Sequence, residues 1–170
     1  MRPKNKHWDE FKQFAARNKA EVILVPLIFL FDFMTKILAV AFLMGGPSVK
    51  VLPFFRLTFV ENTGAAFGSF QNGNFWLIIA TVLILALLIK WREDLLAYGA
   101  AARYGIIFII GGALGNLFDR IVLGFVIDFL DFIVWPVFNA ADSFISVGVM
   151  LLFFAMTKDY FLKERKGEEK

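Results

Sequence analysis

The chain has no cysteine and a single histidine, His7, which sits in a polar leader. Without cysteine there is no disulfide framework, no thiolate nucleophile and no Cys-based metal site. Without histidine in the apolar segments, neither a Ser–His nucleophile nor an imidazole metal centre can be built there. No Walker-type or dinucleotide-type glycine spacing is present. No internal repeat and no low-complexity tract appears. The net charge is +3, but no basic stripe interleaved with aromatics accompanies it, so nucleic acid is not expected as a partner.

What is present is apolar. The chain has 170 residues, 59% of them hydrophobic, and 22 are phenylalanine. A soluble domain of this size cannot hide that load. One membrane-embedded domain over residues 1–170 fits the length. Four apolar segments stand out, at Val22–Met44, Phe75–Ile89, Ala100–Phe118 and Pro136–Met156. A helix of about 20 apolar residues crosses the roughly 30 Å hydrocarbon layer. In lipid every backbone N–H must be satisfied within the segment. We therefore expect four transmembrane helices, the second extended at both ends beyond its apolar run. A signal peptide at Val22–Met44 is disfavoured by its long leader, its length and the lack of a following small-residue cleavage site.

Lysine and arginine divide unevenly between the two sides. The leader (1–21), the link between spans two and three, and the tail from Lys158 carry fourteen; the other two loops carry only Lys50, Arg56 and Arg120. The positive-inside rule then places leader, tail and both termini in the cytoplasm, with loops 45–72 and 119–135 outside. In the first outer loop, Val49–Leu52 and Phe54–Val60 are β-branched and aromatic, punctuated by Pro47, Pro53 and Gly64. A small outer β-structure lying on the membrane is expected, and residues 119–135 either pair with it or form an interfacial segment. The charged tail Lys163–Lys170 is expected to fray.

Two acids flank the entry to the last apolar segment. Asp128 lies in Gly124-Phe-Val-Ile-Asp128 and Asp142 in Asn139-Ala-Ala-Asp142. A carboxylate costs roughly 2.5–3.5 kcal/mol to insert into lipid. Two carboxyls about 3 Å apart cannot both ionise, so one holds a proton while the other acts as a base toward water. Their spacing rules out a pair on one helix, but lets a loop residue after span three face one at the start of span four. Read structurally, Asn139 caps a helix with Asp142 in its first turn, and Asp128 is a solvated loop carboxylate. Spacing alone leaves the two readings even.

Other polar residues cluster nearby. In Gly111-Gly-Ala-Leu-Gly115-Asn116-Leu-Phe-Asp119-Arg120, Asn116, Asp119 and Arg120 share one helix face at i, i+3 and i+4. The small residues admit close approach of another helix or a substrate backbone. Asn116 can donate to and accept from a peptide group, and Arg120 can hold substrate carbonyls. Ordinary small-residue packing with an Asp–Arg pair is the plainer alternative. Glu61-Asn62-Thr-Gly64 is a turn signal by itself, though Asn62 can present its amide to a substrate. Asp32 and Lys36 form an i, i+4 pair with the acid N-terminal. A Ser–Lys dyad of Lys36 with Ser69 or Ser143 competes with that pairing and ranks low. Two further readings stay open: a proton relay through Asp32, Lys36, Asp119 and Asp142, and a non-catalytic membrane scaffold.

Taken together, five blocks resemble the lipoprotein signal peptidase (signal peptidase II) family. They are Asp32-Phe-Met-Thr35-Lys36, Glu61-Asn62-Thr-Gly-Ala-Ala-Phe67, Gly111 to Arg120, Gly124-Phe-Val-Ile-Asp128-Phe129 and Phe138-Asn139-Ala-Ala-Asp142-Ser143. They follow in the family's order; Phe33 stands where the family commonly has glutamine. The resemblance implies an all-α membrane protein of four transmembrane helices with a small outer β-cradle and an interfacial outer helix. It implies an intramembrane aspartic endopeptidase of the bacterial inner membrane that removes signal peptides from diacylglyceryl-modified prolipoproteins, N-terminal to the lipidated cysteine. By the same resemblance Asp128 and Asp142 are catalytic, while Asn62, Asn116, Arg120 and Asn139 orient substrate or support the pair. Asp32 and Lys36 stay outside the catalytic set. No metal and no cofactor is expected, and the protein is expected to act as a monomer in contact with membrane lipid.

Overall fold

The structure, a computed structural model, describes residues 13, 16–64 and 73–168. Its elements follow in the order α1 (Lys19–Leu43), β1 (Val49–Leu52), β2 (Phe55–Asn62), α2 (Gly73–Lys90), α3 (Arg92–Leu96), α4 (Ala100–Val122), β3 (Val126–Asp131) and α5 (Ala140–Glu168). α1, α2, α4 and the Ala140–Phe161 part of α5 are each long and apolar enough to cross a membrane. Even the shortest, with 18 residues, reaches about 27 Å at 1.5 Å per residue.

The four spans fall where hydropathy puts them, and the differences lie at their ends. α2 does extend in both directions, to Gly73 and Lys90. α5 starts at Ala140 rather than Pro136, because Phe138 first pairs with Leu130: the Phe138 N–H donates to Leu130 O at 3.0 Å and the Leu130 N–H to Phe138 O at 2.8 Å. The tail expected to fray from Lys163 is helical through Glu168. Its Leu, Lys, Glu and Arg residues are strong helix formers, and no proline interrupts them.

α4 is the central helix. It buries eleven residues, whereas α2 buries only Leu85. Glycines on two of its faces explain why. A Cβ on Gly105 would lie 2.7 Å from Gly148 O, and one on Gly112 would lie 2.5 Å from Ala141 O, both on α5. A Cβ on Gly111 would meet Ile28 of α1 at 2.7 Å, and one on Gly115 would collide with the Asp32 carboxylate, also on α1. α4 thus admits the backbone of α5 on one face and the side chains of α1 on another, which is how small residues pack helices in lipid. Large apolar side chains such as Phe42, Phe153 and Ile89 remain exposed on the outside of the bundle.

The three strands form one antiparallel sheet in the order β1-β2-β3, so residues 119–135 contribute a strand to it. β2 reaches Asn62, two residues beyond the expected Val60. The sheet sits on the end of α1: Ala39 and Leu43 bury against Ile127 and Phe129 of β3, with Leu57 and Phe59 of β2 packed alongside. Because side chains alternate along a strand, Ile127 and Phe129 facing α1 turns Asp128 the other way, inward. No helix is described between β2 and α2; residues 65–72 of that loop, with Ser69, lie outside the described residues.

Candidate active site

Under the sheet, the polar residues singled out in the sequence meet in one buried cluster. Asp128 and Asn139 are 1% and 0% exposed, and Asn116 is 4% exposed. Each side chain has a structural reason for its place. Asn62 at the end of β2 pairs with Val126, and Asp128 pairs with Val60, so Asn62 and Asp128 are diagonal neighbours across the β2–β3 ladder. The Asn62 Nδ2 donates to Asp128 Oδ2 at 2.8 Å, while the Gly64 N–H donates back to Asn62 Oδ1 at 2.9 Å. Gly64 has φ +81°, which favours glycine, and its N–H fixes which way the Asn62 amide faces.

Asn139 caps α5 in a reciprocal box. The Asp142 N–H donates to Asn139 Oδ1 at 2.9 Å, and the Asn139 N–H donates to Asp142 Oδ2 at 3.2 Å. Such a box satisfies helix-start donors and stabilises by about 1 kcal/mol. The capping reading of Asn139 and Asp142 is therefore right, and it does not compete with the chemical one. With its oxygen engaged in the cap, the Asn139 amide nitrogen is free to donate to Asp128 Oδ1 at 2.7 Å and to Asn116 Oδ1 at 3.0 Å. The other Asp142 oxygen, Oδ1, accepts from Asn116 Nδ2 at 2.7 Å. Asn139 thus touches both carboxylates, one through its side chain and one through its backbone. The solvated-loop reading of Asp128 is set aside by its burial.

Every hydrogen-bond donor described on Asp128 and Asp142 is a neutral amide. Burial, with the neighbouring Asp142 charge, pushes the Asp128 carboxyl up to about 6 against the pull of the Asn62 and Asn139 amides. At the far end of the same strand, Asp131 goes the opposite way. The Arg56 guanidinium at 2.5 Å and the Ile133 N–H at 2.7 Å hold it below the usual carboxylate range.

Beneath the pair lies an ionic group. Lys36 Nζ is 2.7 Å from Asp32 Oδ2, 2.9 Å from Asp119 Oδ2 and 2.9 Å from Asn116 Oδ1. The expected Asp32–Lys36 pair is therefore present, and Asp119 joins it across the helix interface. The sequence placed Asp119 on the Asn116 face, in a pair with Arg120 or in a relay, and did not show its contact with Lys36. Ser143, the other serine considered for a Ser–Lys dyad, donates to Asn139 O at 3.1 Å. Arg120 points at the same region. It lies within electrostatic reach of Asp142, Asp128 and Asp119, its Nη1 donates to Asn116 O at 3.4 Å, and its buried Nε has no partner among the described residues. Phe33 stays out of the cluster, packing edge-on against Phe118 at 5.7 Å and stacking with Phe29. An aromatic residue at this position leaves the polar centre intact.

The model of the signal peptidase (SPase) II family matches residues 24–158, which hold every residue of the cluster. The chain belongs to the signal peptidase II family. The lipoprotein signal peptidase of Caldanaerobacter subterraneus subsp. tengcongensis is 44% identical over 137 residues, covering 79% of this chain and 94% of that protein. That of Thermodesulfovibrio yellowstonii is 42% identical over 142 residues, covering 80% and 93%. A bacterial membrane enzyme solved by the in meso method at 1.9 Å superposes with a TM-score of 0.77 at 32% identity, covering 83% of this chain and 94% of that one. The likeness to known proteins thus covers the fold as well as the sequence.

Proposed function

We propose that Asp128 and Asp142 are the catalytic pair with which this signal peptidase II removes signal peptides from diacylglyceryl-modified prolipoproteins, cutting on the N-terminal side of the lipidated cysteine. The observation that carries this reading is the Asn139 bridge. One residue holds the buried Asp128 carboxylate and the half-buried Asp142 carboxylate with neutral donors, leaving them to share a proton between themselves. Burial favours the proton on Asp128. The ionised partner takes a proton from water as the water oxygen attacks the scissile carbonyl carbon. The protonated carboxyl gives its proton to the carbonyl oxygen, forming a neutral tetrahedral diol. Collapse of the diol returns a proton through the pair to the departing amide nitrogen, which leaves as the cysteine α-amine.

Substrate placement follows from the same architecture. From Asp32 to Leu43 the α1 axis rises about 16 Å, so the ionic group around Lys36 sits well below the sheet end of that helix, with the Asp128–Asp142 pair between it and the sheet. A signal helix entering among the spans and acyl chains lying in the leaflet fix the scissile bond at the pair. Arg120 and Asn62 are the groups best disposed to hold substrate carbonyls. The lysine and arginine asymmetry supports a bacterial inner-membrane protein with both termini cytoplasmic and this site toward the outer face. A proton relay is disfavoured by the stretch between the two polar ends. Arg92 with Glu21 lies at one end and Asp32 in the middle, and residues 22–31 between them on α1 are all apolar.

The test is cleavage of a purified diacylglyceryl-prolipoprotein in nanodiscs. Asp128→Asn and Asp142→Asn are each expected to fold and to leave the precursor uncut. Near-normal processing by either would remove it from the catalytic pair.

A further inference from the structure

Three backbone and side-chain links lead from the buried lysine to the two aspartates, and they converge on one ammonium group. Asp32, 2.7 Å from Lys36, accepts the Ala141 N–H on its other oxygen at 2.8 Å, and Ala141 directly precedes Asp142. Asp119, 2.9 Å from Lys36, accepts the Ile127 N–H at 3.3 Å, and Ile127 directly precedes Asp128. Asn116 accepts from Lys36 on its Oδ1, which leaves its Nδ2 to face Asp142. A flipped Asn116 amide would set an NH2 against the ammonium group and an oxygen against the carboxylate.

We infer that Lys36 is the positioning residue of the signal peptidase II reaction: it clamps Asp32, Asp119 and Asn116 so that β3 and the start of α5 present Asp128 and Asp142 to each other. This rests on the aspartic reading above and adds to it a residue that touches neither substrate nor either catalytic carboxylate. Gly115 makes the clamp possible, since a Cβ there would displace the Asp32 carboxylate. Lys36 is 2% exposed and sealed from water, so its three donors have fixed destinations. The clamp also sets charge. The groups facing Asp128 are Asn62 from β2, Lys36 from α1, Arg120 from α4, and Asn139 and Asp142 from the start of α5. Of these, Lys36 is the buried cation that favours its ionised form.

The test measures kcat, KM and their pH profiles in nanodiscs beside thermal unfolding. Lys36→Met is expected to lower kcat about 100-fold, the cost of misplacing reacting groups by about 1 Å, with KM changed less than about threefold. The alkaline limb of its kcat/KM profile, where the pair loses its shared proton, is expected to move to higher pH, because the cation that favours ionised Asp128 is gone. Lys36→Arg keeps the cation and is expected to keep the limb in place while losing about tenfold in kcat. If Lys36→Met alone does not fold, Lys36→Met with Asp32→Asn removes one charge of each sign and retains an acceptor for the Ala141 N–H. It is expected to show the same kcat loss. A wild-type kcat in any folded Lys36 variant, or an unmoved alkaline limb once the cation is removed, overturns the proposal. Asp128→Asn in the same assay separates the two claims. If it cleaves, the aspartic reading fails. If it is inert while Lys36→Met is normal, only the clamp fails.

Discussion

Two groups of acids lie against each other in this protein and are satisfied in different ways. Asp32 and Asp119 contact the ammonium of Lys36, at 2.7 and 2.9 Å. Among the described residues, Asp128 and Asp142 receive only neutral amide donors, from Asn62, Asn116 and Asn139. A cation beside a buried carboxylate favours its charged form, whereas amide donors and burial leave room for a proton. The first group is therefore equipped to hold helices in register and the second to exchange protons. Placing them in contact, through Asn116, lets the rigid group orient the reactive one.

The largest effect is expected where the reactive group is broken directly. Asp128→Asn or Asp142→Asn should reduce cleavage by more than about 1,000-fold, the scale on which removing an essential catalytic group acts, in a single-turnover assay. Breaking the rigid group sterically should come next. Gly115→Ala drives a methyl into the Asp32 carboxylate and is expected to cost about 1–3 kcal/mol of stability, with kcat lowered, both read from unfolding and turnover of the same preparation. Removing one amide donor should cost less. Asn62→Ala leaves Asp128 its Asn139 donor, and a fall of up to about 10-fold in kcat/KM is expected, since one hydrogen bond between neutral groups contributes about 0.5–1.5 kcal/mol.

A subtler comparison concerns pH and stability. The Asp128 value rises from 3.8 to about 6 on folding, so the folded protein binds this proton more tightly than the unfolded chain. The wild type therefore loses stability as pH rises from about 4 through about 6. Asp128→Asn has no such proton to lose, so its unfolding free energy relative to wild type should climb over that interval, by on the order of 1–3 kcal/mol. A difference that is flat with pH would contradict the shift. The smallest expected effect is that of a chelator, which should leave cleavage unchanged; strong inhibition would point to a metal in the reaction.

How much of this was legible from the residues depends on the kind of information involved. The four spans could be read because lipid demands long apolar helices, and their composition declares them. The strands Val49–Leu52 and residues 55–60 could be read from β-branched and aromatic runs, and the cap at Asn139 from its spacing to Asp142. The start of α5 could not be read from hydropathy. Pro136, Val137 and Phe138 are as apolar as the helix that follows, and only the pairing of Phe138 with Leu130 keeps them out of it. Nor could the third contact of Lys36. Asp32 at i−4 is a local neighbour visible in any helical reading, whereas Asp119 and Asn116 arrive from another helix 80 or more positions away. The glycines announced close packing but not its target, which for Gly115 is a side chain of the ionic group itself.

The claim that matters most is that one proton resides on the Asp128–Asp142 pair. Infrared difference spectroscopy of the protein in lipid, titrated through mildly acidic pH, reads it directly through the carbonyl stretch of a protonated carboxylic acid. The account predicts one such band, titrating near pH 6, absent in Asp128→Asn and retained in Asp32→Asn. A band that survives Asp128→Asn and vanishes in Asp32→Asn, or no protonated acid at all above pH 5, would contradict it.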